Sequence, residues 1–207
     1  MNVVAIVDYG MGNLDSVSRA VEECGGAPIV TNRYQDLATA NRIILPGVGS
    51  FGDAMRNLRQ RGLQESLEEQ VLERRIPFLG ICLGMQLLAT TGWEGGETAG
   101  LGWIDGEVQR LQPTDDDSRI PHIGWNEVSF DSNGGSALFR GIAPGRDFYF
   151  VHSFHLCVRN PQDIVGQTLY AGGFVSAVQR GHIFGVQFHP EKSQRVGFQV
   201  LRNFLAV

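Results

Sequence analysis

Cysteine is scarce in this chain of 207 residues, which contains only Cys24, Cys82 and Cys157. The three are odd in number and widely spaced, and no two of them form a Cys-x-x-Cys pair. The sequence therefore predicts neither a disulfide framework nor a zinc site, and we expect free thiols and no metal. A free cysteine is more often a small buried side chain than a reactive one, so a catalytic role needs support from neighbouring residues.

An excess of basic residues and long apolar runs are also missing. Lys and Arg number 17 against 22 Asp and Glu, a formal net charge of -5, which offers no basic surface for a nucleic acid. No apolar run approaches the roughly 20 residues that span a bilayer. The first residues, MNVVAIVDYG, lack the basic region of a signal peptide. We expect a cytoplasmic protein that binds neither nucleic acid nor membranes.

Short apolar runs alternate with amphipathic patterns in the first half of the chain. VVAIV, RIILP and IPFLGI, at 3–7, 42–46 and 76–81, are apolar and β-branched, which is typical of strands buried on both faces. Apolar residues recur at helical spacing over 14–24 and 54–72. Strands that alternate with helices predict an α/β fold with a largely parallel central sheet and helices on both of its faces.

Shorter strand-like runs follow residue 100. They are GEVQRL, NEVSF, DFYFVHSFHLCV, VGQTLYA, FVSAVQR and IFGVQF. Gly, Pro, Asn and Asp divide them, which predicts added antiparallel strands in the C-terminal half. From Lys192 on, apolar residues return to helical spacing and predict a last helix that docks on the sheet. The length fits a single domain over residues 1–207, and we expect the acidic stretch 115–117 to be an exposed loop.

The segment GICLG, residues 80–84, has the form of a nucleophile elbow. Cys82 follows a strand-like run and precedes the helical pattern LGMQLLA, and Gly80 and Gly84 allow the backbone to turn sharply. The N–H groups at the start of the helix would favour a thiolate. A tight packing turn with an inert cysteine would look the same, so the elbow by itself leaves both interpretations open.

A thiolate that attacks an acyl carbon needs a base, and a third group must orient that base. Of the five histidines, only His189 stands at the end of a strand with a carboxylate two residues on, in FGVQFHPEKS. Pro190 ends the strand and stiffens the turn, so Glu191 can lie near the imidazole. We therefore assign Cys82, His189 and Glu191 as a candidate catalytic triad at the carboxyl edge of the sheet.

Two elements could donate hydrogen bonds to a tetrahedral oxyanion. One is the backbone N–H of Leu83, directly after the nucleophile. The other is PGVGSFG, residues 46–52, whose glycines let backbone N–H groups face a ligand. Gly47, Gly49 and Gly52 also match the dinucleotide pattern Gly-x-Gly-x-x-Gly, but no acidic residue closes the next strand, where a ribose would bind. We expect no nicotinamide or flavin and no other cofactor.

With Cys82, His189 and Glu191 in this order, the chain resembles the class I, or triad, glutamine amidotransferases. Within that family it is most similar to the glutaminase subunits of imidazole glycerol phosphate synthase. The similarity runs through DYGMGNL, LPGVGSFGDAM, GICLGMQLL, PHIGWN, YFVHSF and FGVQFHPEKS, so it covers nearly the whole chain. The resemblance implies a flavodoxin-like class I glutamine amidotransferase fold and the hydrolysis of glutamine to glutamate and ammonia.

The resemblance also implies a role for each matching residue. The cysteine would attack the side-chain amide of glutamine to give a glutamyl thioester, with the histidine as base and then acid, oriented by the glutamate. The family reorients its oxyanion strand on activation. The residues matched to that strand and to the second oxyanion donor are Gly47, Val48, Gly49 and Leu83. The residues matched to the glutamine pocket are Gln86, Glu94, Ser153 and Phe154, and the family usually has Tyr at the last of these positions.

A partner subunit is a further implication of the resemblance. Ammonia would pass to a separate cyclase with a (β/α)8 barrel. There it would react with a phosphoribulosyl-formimino aminoimidazole carboxamide ribonucleotide, giving imidazole glycerol phosphate and aminoimidazole carboxamide ribonucleotide. The residues matched to this interface are Asn13, Trp125, Tyr149 and Lys192. Taken alone, the tryptophan could belong to the core, the tyrosine to a strand surface and the lysine to a solvated helix start.

Three alternatives remain beside this hypothesis. The triad is shared by glutaminase subunits of other ammonia-using synthases, and only the partner-facing motifs argue against them. A non-catalytic module on the same scaffold is less consistent with a complete set of Cys, His and Glu. A cysteine peptidase is also less consistent, since nothing in the sequence resembles an extended peptide cleft.

Overall fold

The computed structural model describes residues 2–114, 119–131 and 135–207. The acidic stretch 115–117 lies outside the described residues. The strands are β1 (Val3–Val7), β2 (Ala27–Thr31), β3 (Arg42–Gly47), β4 (Phe78–Cys82), β5 (Thr91–Gly92), β6 (Thr98–Ala99), β7 (Gly106–Arg110), β8 (His122–Glu127), β9 (Asp147–His152), β10 (Phe154–Val158), β11 (Ile164–Thr168), β12 (Phe174–Arg180) and β13 (Ile183–Val186). The α-helices are α1 (Leu14–Glu23), α2 (Tyr34–Thr39), α3 (Phe51–Gln60), α4 (Leu63–Glu68), α5 (Leu83–Gln86) and α6 (Gln194–Leu205). A π-helical turn, Glu69–Glu73, extends α4, and 3-10 turns span Ala137–Phe139, Pro161–Asp163 and Pro190–Lys192.

A largely parallel sheet forms the centre of the described structure, with the strand order β11-β12-β13-β4-β3-β1-β2. The strands from β13 to β2 pair in parallel. At the other end, β12 pairs antiparallel with β13, and β11 pairs antiparallel with β12. Two smaller sheets, β10-β7-β5-β6 and β8-β9, come mainly from the C-terminal half. The predictions of a parallel centre and of added antiparallel strands are both confirmed.

Side chains of the central strands alternate between two apolar cores. Val4 and Ile6 belong to a core that also contains buried residues of α1 and α6. Ala5 and Val7 belong to the opposite core, with buried residues of α2, α3 and α4. Helices therefore cover both faces, as predicted, and burial on both faces explains why the strands are continuous apolar runs. No helix within the described ranges is both long enough and apolar enough to cross a membrane.

Several elements differ from the sequence predictions. Neither β2 nor α2 was predicted from the sequence. β2 is an edge strand that contains Pro28, and its Ile29 and Val30 are 39% and 43% exposed. The predicted helix LGMQLLA is a single turn, α5, since the carbonyls of Leu87 and Leu88 accept hydrogen bonds from a returning loop rather than continuing a helix. The run DFYFVHSFHLCV is two strands separated by Ser153, and NEVSF contributes only the end of β8.

The carboxyl edge of the central sheet gathers three of the sequence motifs. β3 ends at Gly47, which is in register with Cys82 at the end of the neighbouring β4. β13 lies on the other side of β4, and the chain continues from it through Gln187 to His189. The parallel arrangement thus brings PGVG, GICLG and FHPEK to one edge, which is where such sheets bind their ligands.

Candidate active site

Cys82 occupies a strained turn between β4 and α5. Its φ is 53° and its ψ is -109°, a conformation that costs energy for a residue with a Cβ and that is typical of functional sites. A Cβ at Gly84 would overlap the carbonyl oxygen of Leu45 on β3, so the tight turn requires glycine there. The side chain of Cys82 is nearly buried. This local geometry is that of a nucleophile elbow rather than of an ordinary packing turn.

His189 and Glu191 form a buried pair. Nδ1 of His189 lies 2.8 Å from Oε1 of Glu191, and the two side chains are 4% and 1% exposed. The imidazole is positioned through its backbone, since His189 N–H donates to the Tyr149 carbonyl at 2.9 Å. The hydroxyl of Ser193 donates to the His189 carbonyl at 2.6 Å and accepts from Tyr149 N–H at 3.0 Å. Ser193 therefore ties the His-Pro-Glu turn to β9.

Electrostatics at His189 favour the protonated ring. Burial by itself would lower the pKa of His189, but interactions with Cys82 and with the Glu191 carboxylate outweigh burial and raise that pKa to about 10. Nε2 of the ring makes no hydrogen bond to any described residue, so it is the ring nitrogen left to interact with Cys82. A histidine with one nitrogen held by a carboxylate and the other free beside a cysteine can exchange a proton with the sulfur.

A cavity of about 270 Å³ opens beside the sulfur. This volume is close to the lower end of small-molecule pockets, about 300 Å³. Its lining contains the predicted oxyanion and glutamine residues Val48, Gly49, Leu83, Gln86, Glu94, Ser153 and Phe154, together with Cys82, Val151 and His152. Gly47 is not part of the lining but packs against it, in register with Cys82. Residues that are far apart in the sequence therefore surround one small chamber.

The segment before α3 carries the candidate oxyanion donors. Gly49 has a φ of +112°, which a residue with a side chain rarely adopts. The carboxylate of Glu94 accepts a hydrogen bond from the N–H of Phe51 at 2.8 Å, where a negative charge is favoured by the free N–H groups of the helix start. Glu94 thus lies next to the oxyanion segment, on the wall of the cavity.

Gln187 was not predicted as a site residue from the sequence. Its side chain is completely buried, donates to Sγ of Cys82 at 3.6 Å and accepts from Nε2 of Gln86 at 3.1 Å. An uncharged polar residue inside the apolar run IFGVQF was the available signal, because buried polar side chains need partners. Tyr9 was missed as well. Its hydroxyl is buried against Gly47 and has no hydrogen-bond partner among the described residues, and burial followed by the charge of Cys82 raises its pKa.

Two other histidines near the cavity are structural. Nδ1 of His122 lies 3.0 Å from Nε2 of His152, and the side chain of Asn126 lies 2.7 Å from the other nitrogen of His122. Burial lowers the pKa of His122 to about 4 and that of His152 to about 3. Both rings are therefore neutral at pH 7. Among the described residues, no group of His, Cys, Asp and Glu is arranged to hold a metal ion.

Three of the four predicted interface residues share one surface. Trp125 on β8 is paired with Tyr149 on β9, their ring centroids 5.8 Å apart, and the ammonium of Lys192 lies 5.9 Å from the Tyr149 ring centroid. Trp125 is 44% exposed, so it does not belong to the core. The fourth residue, Asn13, is exposed and caps α1, accepting a hydrogen bond from the N–H of Ser16.

A larger open groove of about 760 Å³ lies beside Trp125. It is lined by Arg146, Asp147, Arg195 and residues of the α6 start, and it contains neither Cys82 nor His189. The smaller cavity is the candidate active site, because it contains the strained cysteine.

Known proteins share both the sequence and the fold. The family model for class-I glutamine amidotransferases matches residues 5–207. The chain is 51% identical over 204 residues to the imidazole glycerol phosphate synthase subunit HisH of Moorella thermoacetica, covering 99% of this chain and 94% of that protein. It is 45% identical over 203 residues to subunit HisH 1 of Campylobacter jejuni strain RM1221, covering 98% and 99%.

A solved structure extends the likeness to the fold. The structure of PurLQS from Thermotoga maritima aligns with a TM-score of 0.71 at 20% sequence identity, over 99% of this chain and 97% of that one. At this identity the likeness concerns the fold alone. The family match, the identity over almost the full length and the strained cysteine beside a buried His–Glu pair agree with one another. The chain belongs to the class-I glutamine amidotransferase family and, within it, to the imidazole glycerol phosphate synthase subunits HisH.

Proposed function

We propose that this chain is the glutaminase subunit of an imidazole glycerol phosphate synthase and that it hydrolyses glutamine to glutamate and ammonia. The observation that carries the proposal is the strained Cys82 at the wall of a small cavity, with the buried pair of His189 and Glu191 beside it. The relatives that share up to 51% of the sequence over nearly the whole chain bear the name of this synthase subunit. The geometry supplies a nucleophile, a base and an orienting carboxylate.

The reaction begins when Nε2 of His189 takes the thiol proton of Cys82 and the sulfur attacks the side-chain carbonyl carbon of glutamine. A C–S bond forms and the carbonyl oxygen becomes an oxyanion. When this intermediate collapses, the C–N bond breaks, His189 gives its proton to the leaving nitrogen, and ammonia departs from a glutamyl thioester. Water then attacks the thioester while His189 takes a proton from it, and the C–S bond breaks to release glutamate. Glu191 holds the proton of Nδ1, so Nε2 performs both transfers.

The hydrogen bonds of Gln86 restrict how it can bind glutamine. Its Nε2 donates to the carbonyl of Phe154 at 2.8 Å and to Gln187 at 3.1 Å. A primary amide has two N–H donors, so both are used. Only Oε1 of Gln86 is then left for the substrate, and it would accept from a substrate N–H. Glu94 would attract the α-ammonium group by its charge, and Ser153 and Phe154 would complete the pocket.

The oxyanion would be bound by backbone N–H groups on both sides of the sulfur. Leu83 directly follows the nucleophile and lines the cavity. The segment Gly47, Val48 and Gly49 packs next to Leu83, and we propose that this segment supplies the second donor. Val48 is 43% exposed, so its peptide can rearrange with little disturbance of the core.

The partner proposal rests on the subunit names of the relatives and on the exposed surface around Lys192. A glutaminase named as a subunit of a synthase works with a synthase subunit. We propose that this partner is a cyclase with a (β/α)8 barrel that receives ammonia and forms imidazole glycerol phosphate and aminoimidazole carboxamide ribonucleotide. The cyclase would contact Asn13, Trp125, Tyr149 and Lys192. We further propose that residues 1–207 act as one glutamine amidotransferase domain in the cytoplasm.

The activity is tested by measuring glutamate and ammonia release from glutamine, with and without the cyclase and its nucleotide substrate. We expect weak activity alone and strong stimulation by the complex. Cys82→Ala should abolish the activity, whereas Cys157→Ala, which changes another free cysteine outside the cavity, should leave it intact. Activity that survives in Cys82→Ala would contradict the nucleophile assignment. A glutaminase that the cyclase does not stimulate would favour another ammonia-using synthase.

The interface is tested through Lys192, the only lysine of the chain. An amine-reactive reagent should modify Lys192 readily in the free protein, because this residue is exposed. Addition of the cyclase should protect it, with the modification at each site read by mass spectrometry. The amino terminus provides an internal control. Equal modification with and without the cyclase would remove Lys192 from the interface.

A further inference from the structure

A chain of hydrogen bonds connects the carbonyl of Phe154 with the sulfur of Cys82. Nε2 of Gln86 donates to the Phe154 carbonyl at 2.8 Å and to Oε1 of Gln187 at 3.1 Å. Nε2 of Gln187 donates to Sγ of Cys82 at 3.6 Å. These hydrogen bonds join β10, α5, the segment after β13 and the elbow, so four parts of the fold fix their geometry.

The carbonyl of Phe154 sets which group donates and which accepts in each of these hydrogen bonds. A backbone carbonyl can only accept, so the side chain of Gln86 must present its NH2 group to Phe154. The same NH2 group reaches Gln187, which must therefore present its oxygen to Gln86. A side-chain amide has an accepting oxygen at one end and a donating NH2 group at the other. With its oxygen facing Gln86, the NH2 group of Gln187 faces the sulfur. Reversing either amide would place donor against donor or oxygen against oxygen.

A second set of hydrogen bonds also holds the Phe154 carbonyl. Nδ1 of His152 lies 2.9 Å from the Phe154 carbonyl and so carries a proton, which leaves its Nε2 to accept from His122. Asn126 then donates to the remaining nitrogen of His122. The Phe154 carbonyl thus accepts two donors from buried groups and is held in place. Its orientation is what determines the orientation of both glutamine side chains.

The surroundings leave Gln187 no alternative arrangement. Its side chain is completely buried, so water does not compete for either end of the amide. Its backbone N–H donates to the carbonyl of Ser176 at 2.8 Å, which fixes the main chain beside β12. A buried amide with a determined orientation acts as a fixed dipole, and a fixed donor stabilises negative charge without reorganisation.

We infer that Gln187 is a further active-site residue, whose amide N–H stabilises the thiolate form of Cys82 and holds the sulfur in place for attack. A hydrogen bond to an ionised acceptor is about twice as strong as one between neutral groups, so the bond strengthens when the thiol ionises. The inference rests on Cys82 being the nucleophile of the proposed function. The charged and titratable groups that face the sulfur or its cavity are His189 with Glu191 behind it, Tyr9, His152 and Glu94.

The first experiment measures alkylation of Cys82 by iodoacetamide across pH, with each cysteine followed separately by mass spectrometry. Only the thiolate reacts, so the pH midpoint reports its stability. Gln187→Met keeps the approximate size and removes the donor. Gln187→Glu keeps the shape and replaces the donor with an oxygen. Gln70→Met is the matched control, since Gln70 is also completely buried but its side chain accepts from Arg74 instead of donating to Cys82.

We expect the alkylation midpoint of Cys82 to rise by about 1 pH unit in Gln187→Met, and by more in Gln187→Glu, with kcat/KM for glutamine about tenfold lower. Gln70→Met should leave both quantities unchanged. Identical midpoints for wild type and both Gln187 variants would overturn the inference and leave Gln187 a structural residue. Failure of the proposed function would look different, because wild type would then release no ammonia from glutamine, or glutaminase activity would survive in Cys82→Ala.

A second experiment does not depend on a variant of Gln187. In the 15N-labelled wild-type chain, one side-chain N–H proton of Gln187 should move downfield as Cys82 ionises. The shift should be absent in Cys82→Ala, in which the acceptor is gone. A Gln187 resonance that is the same in wild type and in Cys82→Ala at every pH would overturn the inference.

Discussion

Replacing Glu191 by Gln tests the buried pair most directly. The substitution keeps the size of the side chain and removes the charge that lies 2.8 Å from Nδ1 of His189. Both side chains are almost fully buried, so water cannot restore the lost interaction. We expect the pKa of His189 to fall, because burial lowers it and one of the two interactions that oppose burial is lost.

The expected size of the change in the His189 pKa follows from the strength of its hydrogen bond to Glu191. The rise of the His189 pKa from 6.5 to about 10 corresponds to about 5 kcal/mol at 1.36 kcal/mol per pKa unit. A hydrogen bond to a charged group contributes about 1.5 to 3 kcal/mol. Glu191→Gln should therefore lower the pKa of His189 by about 1 to 2. The interaction with Cys82, which the substitution leaves in place, still opposes the effect of burial on the pKa of His189.

The effect on stability depends on pH with a definite sign. A histidine whose pKa is raised in the folded state stabilises the fold fully below its unfolded pKa of 6.5, and this contribution is lost as pH rises through about 10. Glu191→Gln should lower the free energy of unfolding by about 2 kcal/mol at pH 6. The difference from wild type should disappear above pH 10.

Catalysis should suffer more than stability. The Glu191 carboxylate keeps a proton on Nδ1, so Nε2 can accept the next one. An amide at this position can donate its own N–H to Nδ1, which would leave the ring proton on Nε2. The ring could then no longer accept a proton at Nε2 and act as the base. We expect kcat to fall by about 10² to 10⁴.

The assays are urea unfolding at several pH values and cyclase-stimulated glutaminase activity. Glu22→Gln provides the control, since Glu22 is an exposed residue of α1 and should change neither quantity. Wild-type activity together with an unchanged pH profile of stability in Glu191→Gln would refute the assignment of Glu191 as the orienting group.

Three further substitutions test the supports of the site. Ser193→Ala should destabilise the fold by about 1 to 3 kcal/mol in urea unfolding and lower kcat, because the partly buried N–H of Tyr149 loses its acceptor while the His189 carbonyl keeps a backbone donor. Full activity would argue against a positioning role. Tyr9→Phe removes a buried hydroxyl without a partner in the described structure, so the free energy of unfolding should be unchanged or higher by about 1 kcal/mol. A large loss of stability would show that the hydroxyl has a partner. Gly84→Ala should cost about 3 kcal/mol or more through overlap with the neighbouring strand; a wild-type melting temperature would show that the elbow tolerates a Cβ.

Much of this fold could be predicted because the determining patterns are local. β1, β3 and β4 are apolar runs, and α1 has apolar residues at helical spacing, so both follow from residues a few positions apart. The edge strand β2 was harder to predict, since its short run APIVT contains Pro28, and a proline within a run argues against a central strand. The length of α5 also escaped, because a returning loop decides where that helix ends.

The sequence by itself determined the reacting groups of this protein. Cys82, between two glycines, and the His-Pro-Glu segment can be recognised because each motif is contiguous and its chemistry depends on residue type. Tertiary structure alone decided the orientation of the groups around the sulfur. Gln187 contacts Gln86 and Cys82 across 101 and 105 residues of chain, and which end of its amide faces the sulfur depends on a carbonyl on β10. No local pattern carries that information, because the direction of a hydrogen bond is set by the partners that folding brings together.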